Sequence, residues 1–364
     1  MAREARYILT IDGGGIRGII PGRMLKELNR LIREHGDKRP LYAHFDLIAG
    51  TSTGALLALA LAAPEGGLPR EDILPYAVYR RTGFFRKRLM GLVMPGTDPE
   101  ALEGLYEEYG PKIFPTTFYS KSLLYPLFSE KYDSLPFEAV LYSWFDDTPM
   151  SELLAPVMAV CYEPAKGRIR TLKSWEDKEV LIREAAYASS AAPTYFPPKE
   201  IADGSVLIDG GIAANNPVLL AYAAARRLYP DAEEFQVLSL STCSESLRYD
   251  PREGTGGIAG WAYPVIKLYG DASAEVAEET AEAIPGLKCV RIWSEPGKRV
   301  KLDSTKEDDI AFLKDLAERT YEENSGKLRS YAAKLAKREL PERIRLRAPG
   351  EAPPLSDEGR PSTP

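Results

Sequence analysis

The residue in this sequence best suited to chemistry is Ser52, which stands between Gly50 and Gly54 in the run Gly-Thr-Ser-Thr-Gly. Residues 45–49 before the run have the pattern of a buried strand, and residues 55–61 after it have the pattern of a buried helix. Strand, G-x-S-x-G and helix together are typical of a nucleophile elbow, a turn so tight that only small residues fit beside the serine. The sequence therefore predicts that Ser52 is a nucleophile at the carboxyl end of a sheet.

A glycine-rich loop, D-G-G-G-I-R-G at 12–18, follows the first predicted strand at 7–11. Its G-x-G-x-x-G spacing matches the dinucleotide fingerprint, but that fingerprint needs an acidic residue at the end of the next strand, where this chain has Ala-Gly-Thr-Ser. The alternative is an oxyanion hole, because consecutive glycines can turn their N–H groups toward one point. The candidate donors are Gly13, Gly14 and Gly15.

A nucleophilic serine needs a partner that removes its proton. The chain contains only two histidines, His35 and His44. His35 lies at the far end of the predicted first helix, and His44 precedes the strand that leads to Ser52, so we expect neither to reach the serine. This count argues against a Ser-His-Asp triad and leaves a carboxylate or a lysine as the base.

The best-placed acid is Asp209, which ends a predicted strand and is followed by Gly210 and Gly211. A free aspartate, with a pKa of about 3.9, is a weak base, but burial would raise that value toward a useful range. The alternative is that Asp209 and Gly210 form only a turn. Asp12 also ends a strand, but it adjoins the oxyanion glycines, so we expect it to organise the loop.

The rest of the sequence must build a scaffold that brings these residues together. The chain has 364 residues, 44% of them hydrophobic, and short apolar runs alternate with helical patterns. This alternation predicts an α/β fold, with a mostly parallel central sheet covered by helices on both faces. Near the C-terminus, residues 307–323 and 325–338 have the pattern of two amphipathic surface helices.

Charge and cysteine content limit the classes of function. The net charge of −6 and the pI of about 5.4 argue against general binding to nucleic acid. The three cysteines share no metal-ligand spacing, which predicts free thiols and no metal site. The start lacks the apolar core of a signal peptide, and the uncharged stretch 47–64 is short and polar in its first half, so we expect a cytoplasmic protein without a transmembrane segment.

One basic and aromatic cluster, at 80–90, is unusual in an acidic chain. It is either a solvated loop or an interfacial patch whose aromatic residues enter a bilayer while the cations meet anionic headgroups. The second interpretation predicts peripheral membrane contact through the following residues: Phe84, Phe85, Arg86, Lys87 and Arg88.

Four motifs together resemble the patatin-like phospholipases, in the order in which that family has them. They are D-G-G-G-I-R-G at 12–18, G-T-S-T-G at 50–54, A-S-S-A-A-P-T-Y-F-P-P at 188–198 and D-G-G-I-A-A-N-N-P at 209–217. The third residue of the acidic motif is glycine here, where many members have alanine. The resemblance covers residues 7–240 and fades after about 245.

The resemblance implies a three-layer α/β/α sandwich and a lipid acyl hydrolase that needs no metal or cofactor. It implies Ser52 as nucleophile, Asp209 as base and the glycine loop as oxyanion hole, supported by Arg17 and Gly18. The expected layout is a catalytic domain at 1–245, with a lid or insert at 64–150. The resemblance does not explain the rest of the chain, for which we expect a mainly helical C-terminal extension at 246–347 packed on the same domain. The Pro, Gly, Ser and charged residues from 348 to 364 predict a disordered tail. A soluble esterase, thioesterase or acyltransferase, or a non-enzymatic nucleotide-binding or scaffolding protein, remains the alternative.

Overall fold

The central element of the fold is one large sheet that has helices on both faces. The computed structural model describes residues 5–64, 76–81, 87–94, 97–114, 130–243, 270 and 272–347. The strands are β1 (Arg6–Ile11), β2 (Leu47–Thr51), β3 (Tyr76–Arg81), β4 (Lys87–Val93), β5 (Val157–Glu163), β6 (Arg168–Lys173), β7 (Lys199–Glu200), β8 (Val206–Asp209), β9 (Phe235–Leu240), β10 (Leu287–Ile292) and β11 (Leu346–Arg347). The helices are α1 (Ile19–Glu34), α2 (Thr53–Ala62), α3 (Pro99–Ile113), α4 (Ser134–Phe145), α5 (Ile182–Ser190), α6 (Gly211–Ala214), α7 (Val218–Leu228), α8 (272–283) and α9 (Glu307–Leu335).

The main sheet has the strand order β10-β9-β1-β2-β5-β8-β7, with β6 on the free edge of β5. The five strands from β10 to β5 are parallel to one another. The additional strands at the β5 end are antiparallel to their neighbours. The predicted mostly parallel sheet is confirmed, and β10 shows that residues beyond 246 extend it.

Successive side chains along the strands face opposite sides of the sheet, which divides the core into two layers. Ile8 and Val237 pack with α7 and α8 on one side. Leu9 and Leu238 pack with α1, α2, α5 and α9 on the other side. Every residue of α2 is buried, as expected for a helix with no polar face. The predicted α/β/α sandwich is therefore confirmed.

Two strands, β2 and β8, meet end to end beside β5, and this arrangement brings Ser52 and Asp209 together. β6 occupies one edge of β5, so β2 and β8 must share the other edge. β2 pairs there with residues 157–160 and runs parallel to β5, whereas β8 pairs with residues 161–162 and runs antiparallel. The carboxyl ends of β2 and β8 therefore converge. Their last residues, Thr51 and Asp209, lie across from successive residues of β5, and Ser52 follows directly.

The predicted lid or insert region, 64–150, contains α3, α4 and a β3–β4 hairpin that pairs with β11 in a separate three-stranded sheet. Of the predicted interfacial patch, Lys87 and Arg88 begin β4, whereas Phe84, Phe85 and Arg86 lie outside the described residues. Among the helices that the structure describes, none has both the length and the apolar character needed to cross a bilayer.

The C-terminal region differs from expectation, because α9 is one helix of 29 residues where two helices were expected. The polar residue at the expected break, Asn324, is buried inside the helix. Its Nδ2 atom donates to the backbone oxygens of Thr320 and Trp293, both at 2.9 Å. The interpretation as two helices was wrong because Asn324 fastens α9 to the end of β10 and does not end the helix. The predicted disordered tail, 348–364, lies outside the described residues.

The first prediction concerns the tight passage from β2 to α2. A Cβ atom added at Gly54 would lie 2.6 Å from the carbonyl carbon of Ile11, and backbone cannot yield there as a side chain could. We expect Gly54→Ala to lower the free energy of unfolding by about 3 kcal/mol or more, as strong overpacking does. Urea unfolding followed by circular dichroism measures the change.

Gly104 provides the matched control, since it lies on the exposed side of α3 and no atom would come within 4 Å of its added Cβ. Gly104→Ala should raise the free energy of unfolding by about 0.5–1 kcal/mol, because alanine loses less backbone freedom in a helix. Similar free energies of unfolding for the two variants would contradict the close packing of backbone around Gly54.

Candidate active site

The turn that carries Ser52 is as strained as the elbow pattern predicts. Ser52 has φ 54° and ψ −123°, a backbone conformation that costs a non-glycine residue roughly 1–3 kcal/mol. The turn closes because its flanking glycines have no side chains: a Cβ at Gly50 would overlap the carbonyl of Gly54. The strand end and the helix start are thus in direct backbone contact, and Ser52 projects at the N-terminus of α2.

The backbone of Ser52 is fixed by a hydrogen-bond relay through α5. The Ser52 N–H donates to Ser189 Oγ at 2.9 Å, and that hydroxyl donates to the carbonyl oxygen of Val160 at 2.6 Å. Ser189 is fully buried. The preceding residue is fixed separately, because Thr51 Oγ1 donates to the Ala214 carbonyl at 2.8 Å. The elbow is therefore anchored to β5 and α6 at the same time.

Asp209, at the end of β8, meets Ser52 directly. Its side chain is only 5% exposed. Burial raises the pKa of Asp209 to about 6, while the hydrogen bond with the Ser52 hydroxyl and the N–H of Gly211 oppose that rise. The Gly211 N–H donates to Asp209 Oδ1 at 2.7 Å and orients the carboxylate. The next residue, Gly210, has no room for a Cβ, which would lie 2.6 Å from the Val160 carbonyl carbon.

The glycine loop lies against the elbow, but its first glycine is engaged elsewhere. The Gly13 N–H donates to the Asn215 carbonyl at 3.1 Å. The expectation of three free N–H donors is therefore corrected: this N–H already has an acceptor within the protein. Among the described residues, no acceptor is present for the N–H groups of Gly14 and Gly15, and both glycines line the same cavity as Ser52.

Residues far along the chain hold this loop in place. The Gly13 carbonyl accepts from Thr242 Oγ1 at 2.7 Å and from Asn215 Nδ2 at 3.3 Å. The Ile16 N–H donates to the Leu302 carbonyl at 2.8 Å. A Cβ at Gly14 would lie 2.6 Å from Thr242 Cβ, so glycine is required for this close packing.

Two predicted support residues lie inside the loop itself. The Arg17 Nε donates to the Gly14 carbonyl at 3.2 Å, and the Arg17 side chain is buried. Gly18 packs against the Tyr106 ring, with no space for a side chain between them. Arg17 thus binds the glycine loop, which is the contact that the resemblance implied.

Asp12, directly before the glycines, pairs with Arg291 of β10. Arg291 Nη1 donates to Asp12 Oδ1 at 2.9 Å, and Nη2 donates to the other carboxylate oxygen. Burial raises the pKa of Asp12, whereas the charge and hydrogen bonds of Arg291 lower it. The sequence offered no signal for Arg291, because it lies 279 residues from its partner.

A cavity of about 170 Å³ opens at Ser52, Asp209 and the glycine loop. Ser52 and Asp209 are among its polar lining residues, and its wall is otherwise mainly aromatic and aliphatic. Large apolar lining residues come from α2, α3, α4 and the segment after α5, among them Leu56, Ile113, Phe114, Phe137, Tyr195 and Phe196. The aromatic rings pack on one another, as in the Phe137–Phe196 pair with centroids 5.3 Å apart. The arrangement suits a reacting polar group with an apolar chain attached.

The two histidines lie elsewhere. His35 follows the last residue of α1, and neither histidine is among the described residues that line the cavity. His44 is fully buried, and burial, together with the charge of Arg39, lowers its pKa to about 4. At neutral pH His44 is therefore uncharged, which is compatible with its buried position near Arg39. The described residues therefore give Ser52 a carboxylate and no histidine as its partner.

Comparison with known proteins agrees with this geometry. The sequence model of the family described as patatin-like phospholipase matches residues 9–222. Patatin-like protein 2 of Arabidopsis thaliana is 30% identical over 315 residues, which cover 76% of this chain and 71% of that protein. Patatin-like protein 1 of Oryza sativa subsp. indica is 30% identical over 309 residues, which cover 74% and 68% of the two chains.

Two further matches are less similar to this chain. Probable inactive patatin-3-Kuras 1 of Solanum tuberosum is 28% identical over 307 residues, covering 74% of this chain and 72% of that protein. The crystal structure of VipD from Legionella pneumophila matches 88% of this chain and 67% of that chain. The TM-score of this match is 0.34 and the sequence identity is 12%. The matched segment 9–222 includes Ser52, Asp209 and the glycine loop, and with the 30% identical relatives it shows that this chain belongs to the patatin-like phospholipases, a family of lipid acyl hydrolases.

Proposed function

We propose that this protein is a phospholipase A or lysophospholipase that cleaves carboxylic ester bonds through a Ser52–Asp209 dyad, without a metal ion. The observation that carries the proposal is that Ser52 lines the same cavity as Asp209, a buried carboxylate whose pKa is raised by burial, a rise that the Ser52 hydroxyl opposes. Perturbed carboxylates in a cleft are frequent at catalytic sites. The apolar cavity beside this pair supports a substrate with a hydrocarbon chain.

In the first half-reaction, Ser52 Oγ attacks the ester carbonyl carbon and Asp209 accepts the hydroxyl proton. A base with a pKa of about 6 is mostly ionised at neutral pH yet binds a proton about 100-fold more tightly than an ordinary aspartate. The tetrahedral intermediate then collapses, the bond to the alcohol oxygen breaks, and Asp209 returns the proton to the leaving alcohol. An acyl-Ser52 ester remains.

The negative oxygen of the tetrahedral intermediate needs hydrogen-bond donors fixed in advance. The N–H groups of Gly14 and Gly15 supply them in this mechanism, since the Gly13 N–H is already bonded. The first N–H groups of α2 add positive potential at Ser52. Loss of one such donor typically costs about 3 kcal/mol of transition-state stabilisation.

In the second half-reaction, Asp209 removes a proton from water, and the resulting hydroxide attacks the acyl carbonyl. The same N–H donors stabilise the second tetrahedral intermediate. Collapse releases the fatty acid, and Ser52 recovers its proton from Asp209. Backbone donors take the role that a Lewis acid would have, so the proposed reaction needs no metal ion.

The principal test is fatty-acid release from phosphatidylcholine vesicles in the presence of EDTA. We expect release by the wild type and a loss of at least about 10³-fold in Ser52→Ala and in Asp209→Ala, since members of a catalytic unit fail together. Ser143→Ala, at an exposed hydroxyl of α4, is the matched control and should retain full activity. Release that persists in Ser52→Ala, or that EDTA abolishes in the wild type, would contradict the mechanism.

The raised pKa of Asp209 predicts the pH dependence of the reaction. Below about pH 6 the carboxyl is protonated and cannot accept the serine proton, so kcat/KM should fall about tenfold per pH unit. Folding is not lost with this protonation, because Asp209 binds its proton more tightly in the folded than in the unfolded chain. Hydrolysis of a short soluble ester measures kcat/KM at each pH, and circular dichroism at the same pH values measures whether the protein stays folded.

An ordinary aspartate would give a different profile. If the inflection lay near pH 4 with the fold intact, Asp209 would not be the buried base that the geometry suggests.

We also propose that the basic and aromatic cluster carries a membrane contact. In this proposal, Phe84 and Phe85 enter the interface while Arg86, Lys87 and Arg88 meet anionic headgroups. Replacing the three cations by serine should weaken binding to phosphatidylserine-containing vesicles at least tenfold, since each contributes about 1 kcal/mol near such a surface. Turnover of a short soluble ester should be unchanged. Vesicle sedimentation measures the binding.

The matched control replaces three exposed basic residues of the C-terminal helix and its end by serine: Arg329, Lys334 and Lys337. It removes the same charge from a different surface and should bind vesicles as the wild type does, within about twofold. Equal losses in the two triple variants would show a general charge effect and exclude a specific contact through the hairpin.

A further inference from the structure

We propose that Arg291 is a positioning residue for the reaction: through Asp12 it fixes the glycine loop and neutralises a negative charge beside the oxyanion. The inference rests on the proposed ester hydrolysis. It assigns a role in that reaction to a residue outside 9–222, the part of the chain that the family model matches.

Asp12 connects the sheet to the glycine loop. Its N–H donates to the Leu240 carbonyl at 3.0 Å, which continues the β1–β9 ladder, and the next residue is Gly13. The Asp12 side chain is 1% exposed. The position of this buried carboxylate therefore influences the start of the loop whose Gly14 and Gly15 N–H groups serve the oxyanion in the proposed mechanism.

Arg291 holds that carboxylate with two donors. Nη1 and Nη2 each donate to a different carboxylate oxygen, the bidentate geometry that a guanidinium group favours. Nη1 also donates to Ser239 Oγ at 2.8 Å, and Nε lies 3.5 Å from a carboxylate oxygen of Glu278. The guanidinium thus contacts the residue after β1, a residue of β9 and a residue of α8.

The pair also has an electrostatic consequence. Asp12 stands two residues before Gly14 in a buried region, where charges interact more strongly than in water. An ionised Asp12 alone would repel the negative oxygen that forms in the transition state. The Arg291 cation cancels this repulsion, so its effect should appear in kcat and much less in KM.

A second contact from the same part of the chain supports the loop. The Leu302 carbonyl accepts the Ile16 N–H at 2.8 Å, and its carbon would lie 3.0 Å from a Cβ added at Gly15. Both Leu302 and Arg291 follow residue 222. The C-terminal region thus closes the back of the loop at two points.

The chain contains a matched control pair at the opposite end of the sheet. Arg338 Nη2 donates to Asp46 Oδ2 at 2.8 Å, and both side chains are at least as buried as the first pair. Asp46 differs from Asp12 in one respect, because Arg6 Nη1 also donates to Asp46 Oδ1, at 3.2 Å. Asp46 precedes β2, whereas Asp12 follows β1. Removal of either arginine leaves a buried aspartate with less compensation, but only one of them adjoins the oxyanion.

The test compares kcat and KM for a short 4-nitrophenyl ester, with thermal unfolding and near-ultraviolet circular dichroism as measures of folding. We expect Arg291→Met to lower kcat at least about tenfold with KM within about twofold, as for partial loss of an oxyanion donor. Arg291→Lys should recover part of kcat. The double variant Asp12→Asn, Arg291→Met should also have a higher kcat than Arg291→Met alone, because it has no uncompensated charge beside the oxyanion. Arg338→Met should lower the unfolding temperature yet keep kcat within about twofold.

Several outcomes would overturn the inference while the proposed function stands. These are wild-type kcat in folded Arg291→Met, equal loss of kcat in folded Arg338→Met, and no recovery in the double variant. A wild-type chain that neither hydrolyses the ester nor reacts with a fluorophosphonate at Ser52 would overturn the proposed function and this inference together.

Discussion

The contact between the Ser52 hydroxyl and the Asp209 carboxylate depends on two strands that end at one point. β2 and β8 share an edge of β5 and run in opposite directions, so their carboxyl ends meet. The burial that makes Asp209 a stronger base opposes folding: a rise of about two pKa units corresponds to roughly 3 kcal/mol when the group is ionised. The large apolar core on both faces of the sheet must offset this cost.

The glycine loop is held in place by contacts from distant parts of the chain. Three consecutive glycines are free to adopt many conformations, and only outside contacts select one of them. Here Asn215 and Thr242 hold the first peptide, Leu302 holds the end, and Arg291 holds the residue before the loop. Fixed donors stabilise a transition state without reorganisation at the moment of reaction. The loop is local in sequence, but its rigidity is a property of the whole domain.

The cavity combines the polar end of the sheet with apolar walls from the insert and from the segment after α5. Ile113 and Phe114 at the end of α3 and Phe137 of α4 face Tyr195 and Phe196. The insert thus provides part of this wall and also carries the β3–β4 hairpin.

The sequence by itself determined the elbow, the glycine loop and the acid, because each follows a local rule. Ser52 lies in a turn that only small neighbours allow. The chain has only two histidines, and their positions in the sequence argued against a Ser-His-Asp triad. Tertiary structure alone decided that β8 is antiparallel, that Asn215 accepts the Gly13 N–H, and that Arg291 pairs with the residue before the loop. The last two contacts join residues about 200 to 280 positions apart, and no local propensity or spacing records which distant partner a buried polar group will meet.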